Sequence, residues 1–160
     1  MAGHNRIVAY TSVQHGNTRR VAEALAETLG ATAVDASSLT PEVVHAASLI
    51  GFGSGIFFGR HHEALLTCAG KCRNRNRAKS FIFSTAGFPY TLARVAGIDF
   101  HKELRRLLTG NGFEVAGEFS CRGYDTYGPF GIIGGIARGH PNAADLERAR
   151  AFALQFLDPA

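Results

Sequence analysis

The stretch "YTSVQHGNTRRVAEALAETLG", Tyr10 to Gly30, gathers hydroxyl, amide and glycine residues just where an amphipathic helix should begin. Helix N-termini expose unpaired backbone N–H groups and the positive end of the dipole. A loop of small residues entering such a helix lets those groups converge on an anion. Gly16 permits close backbone approach, Thr11, Ser12 and Thr18 carry hydroxyls, and Asn17 carries an amide. The loop has neither the Lys-Ser/Thr ending of a triphosphate loop nor the spaced glycines of a dinucleotide fingerprint. Hydroxyls without a lysine suit a single phosphate. The same residues also suit an ordinary Asn or Thr helix cap, and the loop by itself leaves both readings open.

Two further loops join glycine to aromatics: "GSGIFFGRHH" (Gly53 to His62) and "TAGFPY" (Thr85 to Tyr90). Glycine lets backbone reach the polar edge of a planar ring, and an aromatic can stack on its face. Neighbouring side chains in an extended segment point apart, so at most one of Phe57 and Phe58 should touch such a ring. The other reactive types read as structure. Cys68 and Cys72 stand one helical turn apart near His61 and His62 but lack a four-ligand spacing. They read as inward-facing helix cysteines, with the histidines opening the helix. Asp125, between Tyr124 and Tyr127, reads as a loop carboxylate rather than an acid catalyst.

The elements that must position these loops follow from apolar patterning. Five runs read as buried strands: Arg6–Tyr10, Thr32–Asp35, Ser48–Phe52, Ser80–Ser84 and Phe113–Ser120. Helical patterns alternate with them. Val21, Ala22, Leu25, Ala26 and Leu29 form one face of the first helix, which Gly30 stops. A short helix follows Pro41, and Leu65, Leu66, Ala69 and Cys72 mark a third. Asp99 suits the cap of a fourth, with Leu104, Leu107 and Leu108 inward. Asn142, with Asp145 three residues on, suits the cap of the last. This alternation predicts an α/β fold with a doubly wound, five-stranded parallel sheet between two helical layers. One irregular segment is long, Cys121 to Pro141, and a loop of that length is usually functional or docked.

Composition bounds the rest. The 160 residues, 46% apolar and 19% charged, suit a single globular domain over 1–160. No secretory segment is visible, and "AASLIGFGSGIFFG" is too short and glycine-rich to span a bilayer. Three cysteines favour reduced thiols and a cytoplasmic location, with no membrane partner. The net charge of +4 owes much to "KCRNRNRAK", Lys71 to Lys79, which lacks interleaved aromatics. It reads as a solvated helix end, with no nucleic-acid partner.

With "HGNT" after the first strand, a Gly-rich loop after the third and "FSTAG" (Phe83 to Gly87) ending the fourth, the chain resembles the flavodoxin-like family over nearly its whole length. The resemblance implies strand order 2-1-3-4-5 and flavin mononucleotide (FMN) as cofactor. It implies that Ser12, Val13, Gln14, His15, Gly16, Asn17 and Thr18 hold the phosphate. It places Ser54, Gly55, Phe57 and Gly59, with Thr85, Ala86, Gly87 and Tyr90, beside the isoalloxazine ring. His15 stands where the family usually has a threonine. Gly59-Arg60 stands where a glycine and an acid are usual, so a cation there should favour the reduced, anionic flavin. The expected function is a low-potential electron carrier serving redox partner proteins, with no metal. An FMN-dependent NAD(P)H:quinone-type reductase and a flavin-free binding module are the alternatives.

Overall fold

A computed structural model describes residues 5–157 of the chain. Strand β1 (Arg6–Thr11) leads into helix α1 (Asn17–Leu29), then β2 (Thr32–Asp35), a short 3-10 turn and α2 (Pro41–Ala46). Strand β3 (Leu49–Phe57) turns back as the two-residue β4 (Arg60–His61) before α3 (Glu63–Lys71). Strand β5 (Lys79–Ala86), helices α4 (Tyr90–Val95) and α5 (Lys102–Gly110), and strand β6 (Glu114–Arg122) follow. The chain closes with α6 (Pro129–Ile132) and α7 (Ala143–Leu154).

The long strands are parallel in the order β2-β1-β3-β5-β6, the arrangement expected for five strands, and β4 adds an antiparallel pair to β3. Strand side chains alternate between two cores. Ile7, Ile50, Phe52 and Ile82 meet Leu65 of α3 and Leu104 of α5 on one face. Val8, Phe81 and Phe83 meet Val21 and Leu25 of α1 and Ala149 of α7 on the other. Residues covered on both faces explain the near-continuous apolar runs.

Two strands run further than their apolar patterns suggest. Gly53, Gly55 and Phe57 lie on β3, and Thr85 and Ala86 lie on β5. The glycines of β3 are strand residues because their neighbours need the space. A Cβ on Gly51 would lie 2.2 Å from the Phe81 ring, and one on Gly53 would lie 2.4 Å from Phe83. Phe58 and Gly59, with φ of 50° and 77°, form the hairpin turn between β3 and β4. Two consecutive positive φ values are what a tight two-residue hairpin requires.

Helix starts follow local chemistry. Asn142 and Asp145 form the expected reciprocal cap of α7. His62 caps α3, accepting from the Ala64 N–H, whereas His61 turns into the core. Arg73 donates to the carbonyls of Gly70 and Cys72, so the basic run begins as the solvated end of α3. Asp99 does not cap α5. Its carboxylate accepts from the His101 N–H in the turn before the helix, and α4 is an additional short helix.

Candidate functional site

The carboxyl ends of β1, β3, β5 and β6 converge on one cleft. Its lining includes Val13, Gln14, Asn17 and Thr18 from the first loop and helix. Gly55, Ile56, Phe57, Thr85, Ala86 and Gly87 come from the two central strands, and Gly123, Tyr124 and Asp125 from the segment after β6. Ligands of open parallel sheets bind at such strand ends.

The start of α1 forms one wall. Its N-cap is Gly16 at φ 65°, with no side-chain cap, and its first turn has no acid. The N–H groups of Gly16 and Thr18 have no acceptor among the described residues. Arg20 places a cation in the first turn, at the positive end of the dipole, where a bound anion would offset it, whereas Arg19 is already paired with Glu23 at 2.8 Å. Asn17 and Thr18 are not caps, so the ordinary capping reading fails. The Asn17 amide donates to the Tyr124 carbonyl at 2.8 Å, and the Thr18 hydroxyl lies 2.9 Å from that of Thr85.

The segment after β6 forms the opposite wall. Asp125 and Ile136 pair through both backbone hydrogen bonds, and the Asp125 carboxylate accepts from the Tyr127 N–H. The segment is lashed to the first loop by Asn17 and by His15, whose Nε2 lies 2.8 Å from the Thr126 hydroxyl. The Tyr127 ring meets the edges of Phe57 and Phe58. These contacts narrow the cleft to about 30 Å³, room for one or two water molecules.

Behind the cleft lies a buried polar cluster. The Ser54 hydroxyl is 2.8 Å from His61 Nδ1, and the Ser84 hydroxyl is 2.8 Å from His101 Nε2. His101 Nδ1 faces Glu118 at 3.3 Å, and Arg105 bonds both Glu118 and Asp99. Burial pushes the Glu118 carboxyl up, but His101 and Arg105 outweigh it and hold it at about 2. Burial pushes the Tyr90 phenol up to about 12, helped by Asp99, which accepts its hydroxyl at 2.6 Å. Ser84, His101 and Glu118 stand in the order of a nucleophilic triad. Ser84 is fully buried in the middle of the sheet, so no substrate reaches it.

The flavodoxin-domain family model matches residues 7–114, more than half of the chain. The chain belongs to the flavodoxin-domain family. It is also 42% identical over 151 residues to an uncharacterized protein of Methanocaldococcus jannaschii, covering 94% of this chain and 97% of that one. Oxidised flavodoxin 2 from Bacillus cereus superimposes with a TM-score of 0.67 at 18% identity, covering 94% and 95% of the two chains. The flavodoxin, WrbA-like protein from Agrobacterium tumefaciens gives 0.62 at 22%, covering 96% and 94%. These two structures share the fold.

In this flavodoxin-domain chain the expected residues divide. Val13, Gln14, Asn17, Thr18, Gly55, Phe57, Thr85, Ala86 and Gly87 meet at the cleft. Of the two adjacent phenylalanines, only Phe57 lines it, and Phe58 is 87% exposed at the hairpin turn. Ser54 does not reach the cleft, because its hydroxyl is drawn to His61, the His62 N–H and the Gly55 carbonyl. Gly59 forms the hairpin turn, and Arg60 pairs with Glu103 of α5 at 3.1 Å. Tyr90 turns away to stack on Phe100. Ser12 accepts the Arg19 N–H at 3.4 Å, and His15 is spent on Thr126.

Ile56, within the Gly53–His62 stretch, and Gly123, Tyr124 and Asp125, within the long segment after β6, also line the cleft, though the sequence singles out none of the four as a cofactor contact. The length of the Cys121–Pro141 segment is the signal for Gly123, Tyr124 and Asp125, and the glycine-and-aromatic pattern around Gly55 is the signal for Ile56. Arg122 is a further addition. Its guanidinium donates to the Gly87 carbonyl at 3.2 Å, and its buried Nε has no hydrogen-bond partner. No helix among the described residues is long and apolar enough to cross a membrane.

Proposed function

We propose that the cleft binds FMN and that the chain is a low-potential electron carrier. The observation that carries this reading is the bare start of α1, with free N–H groups, the nearby Arg20 and the Thr18–Thr85 hydroxyl pair. That donor set fits a phosphate monoester. The residues at the other end fit a flat ring: Gly55 and Gly87 expose backbone, and Phe57 offers an aromatic face. A fused three-ring system exceeds the cleft's volume of about 30 Å³, so seating it would require Phe57 and the Gly123–Asp125 segment to part. FMN supplies the redox chemistry when bound.

The chain's residues bind, orient and shield. Thr18, Thr85 and the α1 N–H groups fix the phosphate, and Arg122 adds positive charge beside Gly87. Tyr124, in the cleft wall, would shield the mouth from water. Electrons pass to a separate redox protein, and the three free cysteines suit the reducing cytoplasm.

Fluorescence titration tests the reading. Stoichiometric FMN binding, at least tenfold tighter than riboflavin, is expected. Equal affinity for the two overturns the phosphate assignment. Steady-state NADH or NADPH oxidation without an added reductase would replace the carrier by the reductase.

A further inference from the structure

Ser54 and Ser84 are register partners on β3 and β5, and each directly precedes a cleft residue, Gly55 or Thr85. Each holds a buried histidine. The rings of His61 and His101 pack 5.1 Å apart at 31°, with exposures of 1% and 0%.

The hydrogen bonds restrict the protons. Ser54 Oγ accepts from the His62 N–H, and its single proton goes either to the Gly55 carbonyl or to His61 Nδ1. Either arrangement suits a neutral His61, and a charged ring would need an N–H at its buried Nε2, which has no partner. His101 differs. Glu118 only accepts, so His101 Nδ1 carries a hydrogen. Its Nε2 meets Ser84, whose single proton goes either to Ser120 or to Nε2. The first arrangement makes His101 charged and the second makes it neutral, with its bonds satisfied in both. Burial, and the charge of His101 beside it, push His61 well below the ordinary histidine range. Two charged rings in contact inside a dry core would repel strongly.

The surroundings leave a place for one proton. Glu118 on β6 and Asp99 before α5 are two carboxylates facing one guanidinium, Arg105 of α5. Tyr90 of α4 is a neutral donor to Asp99, and the Arg60–Glu103 pair between β4 and α5 balances itself. One negative charge therefore remains, and one proton on the pair cancels it.

We propose that His61 and His101 together bind a single dissociable proton, which negative charge placed in the cleft draws in. The inference rests on the FMN reading, where that charge is the reduced flavin's. One electron leaves a low-potential donor and enters the flavin. One proton from solvent bonds to an imidazole nitrogen of the pair, and no other bond forms or breaks.

Two measurements test it. Ring-nitrogen NMR of the full, flavin-free chain over a pH series should show one proton gained by the pair as a whole. Two protons gained independently, or none, overturns the proposal. In the FMN-loaded chain, the midpoint potential of the last one-electron step should fall with pH up to a break. His101→Gln should abolish that break or move it by about one pH unit. An identical break in both proteins puts the proton on the flavin and overturns the proposal. Should His101→Gln fail to fold, Ser84→Ala keeps the ring and removes its hydroxyl partner, and it should move the break in the same test. Absence of FMN binding sinks the cleft reading instead, and the proton count in the flavin-free chain then decides the pair by itself.

Discussion

Thr18 Oγ1 lies 2.9 Å from Thr85 Oγ1, and this buried contact joins the start of α1 to the end of β5. Two hydroxyls share one hydrogen bond, so one proton remains for a ligand. The contact is thus both a tie between elements and a donor at the edge of the cleft.

Thr18→Val removes that donor while keeping the shape of the side chain. FMN affinity should fall by about 1.5–3 kcal/mol, the range for a hydrogen bond to a charged group. Riboflavin has no phosphate, and its affinity should barely change. Parallel fluorescence titrations of the two flavins check this, and equal losses for both would assign Thr18 to structure alone.

Glu118 predicts an acid limb in the stability curve. Its carboxyl is held at about 2 when folded, below its ordinary value near 4.5. A carboxyl lowered in this way stabilises the fold fully above about pH 4.5, and loses that contribution as pH falls toward 2. Partial exposure limits the contribution to about 1–2 kcal/mol. Glu118→Gln should therefore be destabilised at pH 7 and lose less stability than wild type between about pH 4.5 and 2. Urea unfolding across that range measures both.

The segment from Tyr124 to Arg138 should respond to the ligand. Tyr124 and Asp125 line the cleft, whereas Ile132 and Ile133 are 88% and 72% exposed. Hydrogen exchange should show FMN protecting the amides near Tyr124. Exchange unchanged along the whole segment would make it a passive wall.

Arg60→Asp should matter little. The Arg60–Glu103 pair is exposed at both ends, so its loss should change stability by less than about 1 kcal/mol. Glu103 already offsets the charge of Arg60, which weakens the sequence-based expectation that this cation tunes the flavin. The flavin potential in Arg60→Asp should match wild type at high salt, and a shift persisting there would return Arg60 to the site.

Much of the fold is legible in the chain because the strands are covered on both faces and the helices on one. Ile7 to Ala9 and Val21 to Leu29 announce their elements by apolar spacing. The glycines of β3 mislead for a physical reason: their space belongs to rings on another strand, which local pattern does not display. The site divides along the same line. Thr18, Gly55 and Thr85 sit at strand and helix ends, where the order of elements fixes them. Ser54 and His61 look like loop residues, yet a seven-residue hairpin folds them into the interior. Tyr124 is placed by its link to Asn17, 107 positions away, and no local signal carries that link.

The fit between β3 and β5 has a consequence for how this chain tolerates change over generations. Gly51 faces Phe81 and Gly53 faces Phe83, register for register, with no room for a methyl group. Alanine at position 51 should arrive as a harmful substitution, costing about 1–3 kcal/mol by overpacking. After Phe81 has become leucine, the same alanine should be tolerated far better. The two positions therefore form one heritable unit, whose members must drift together or remain fixed.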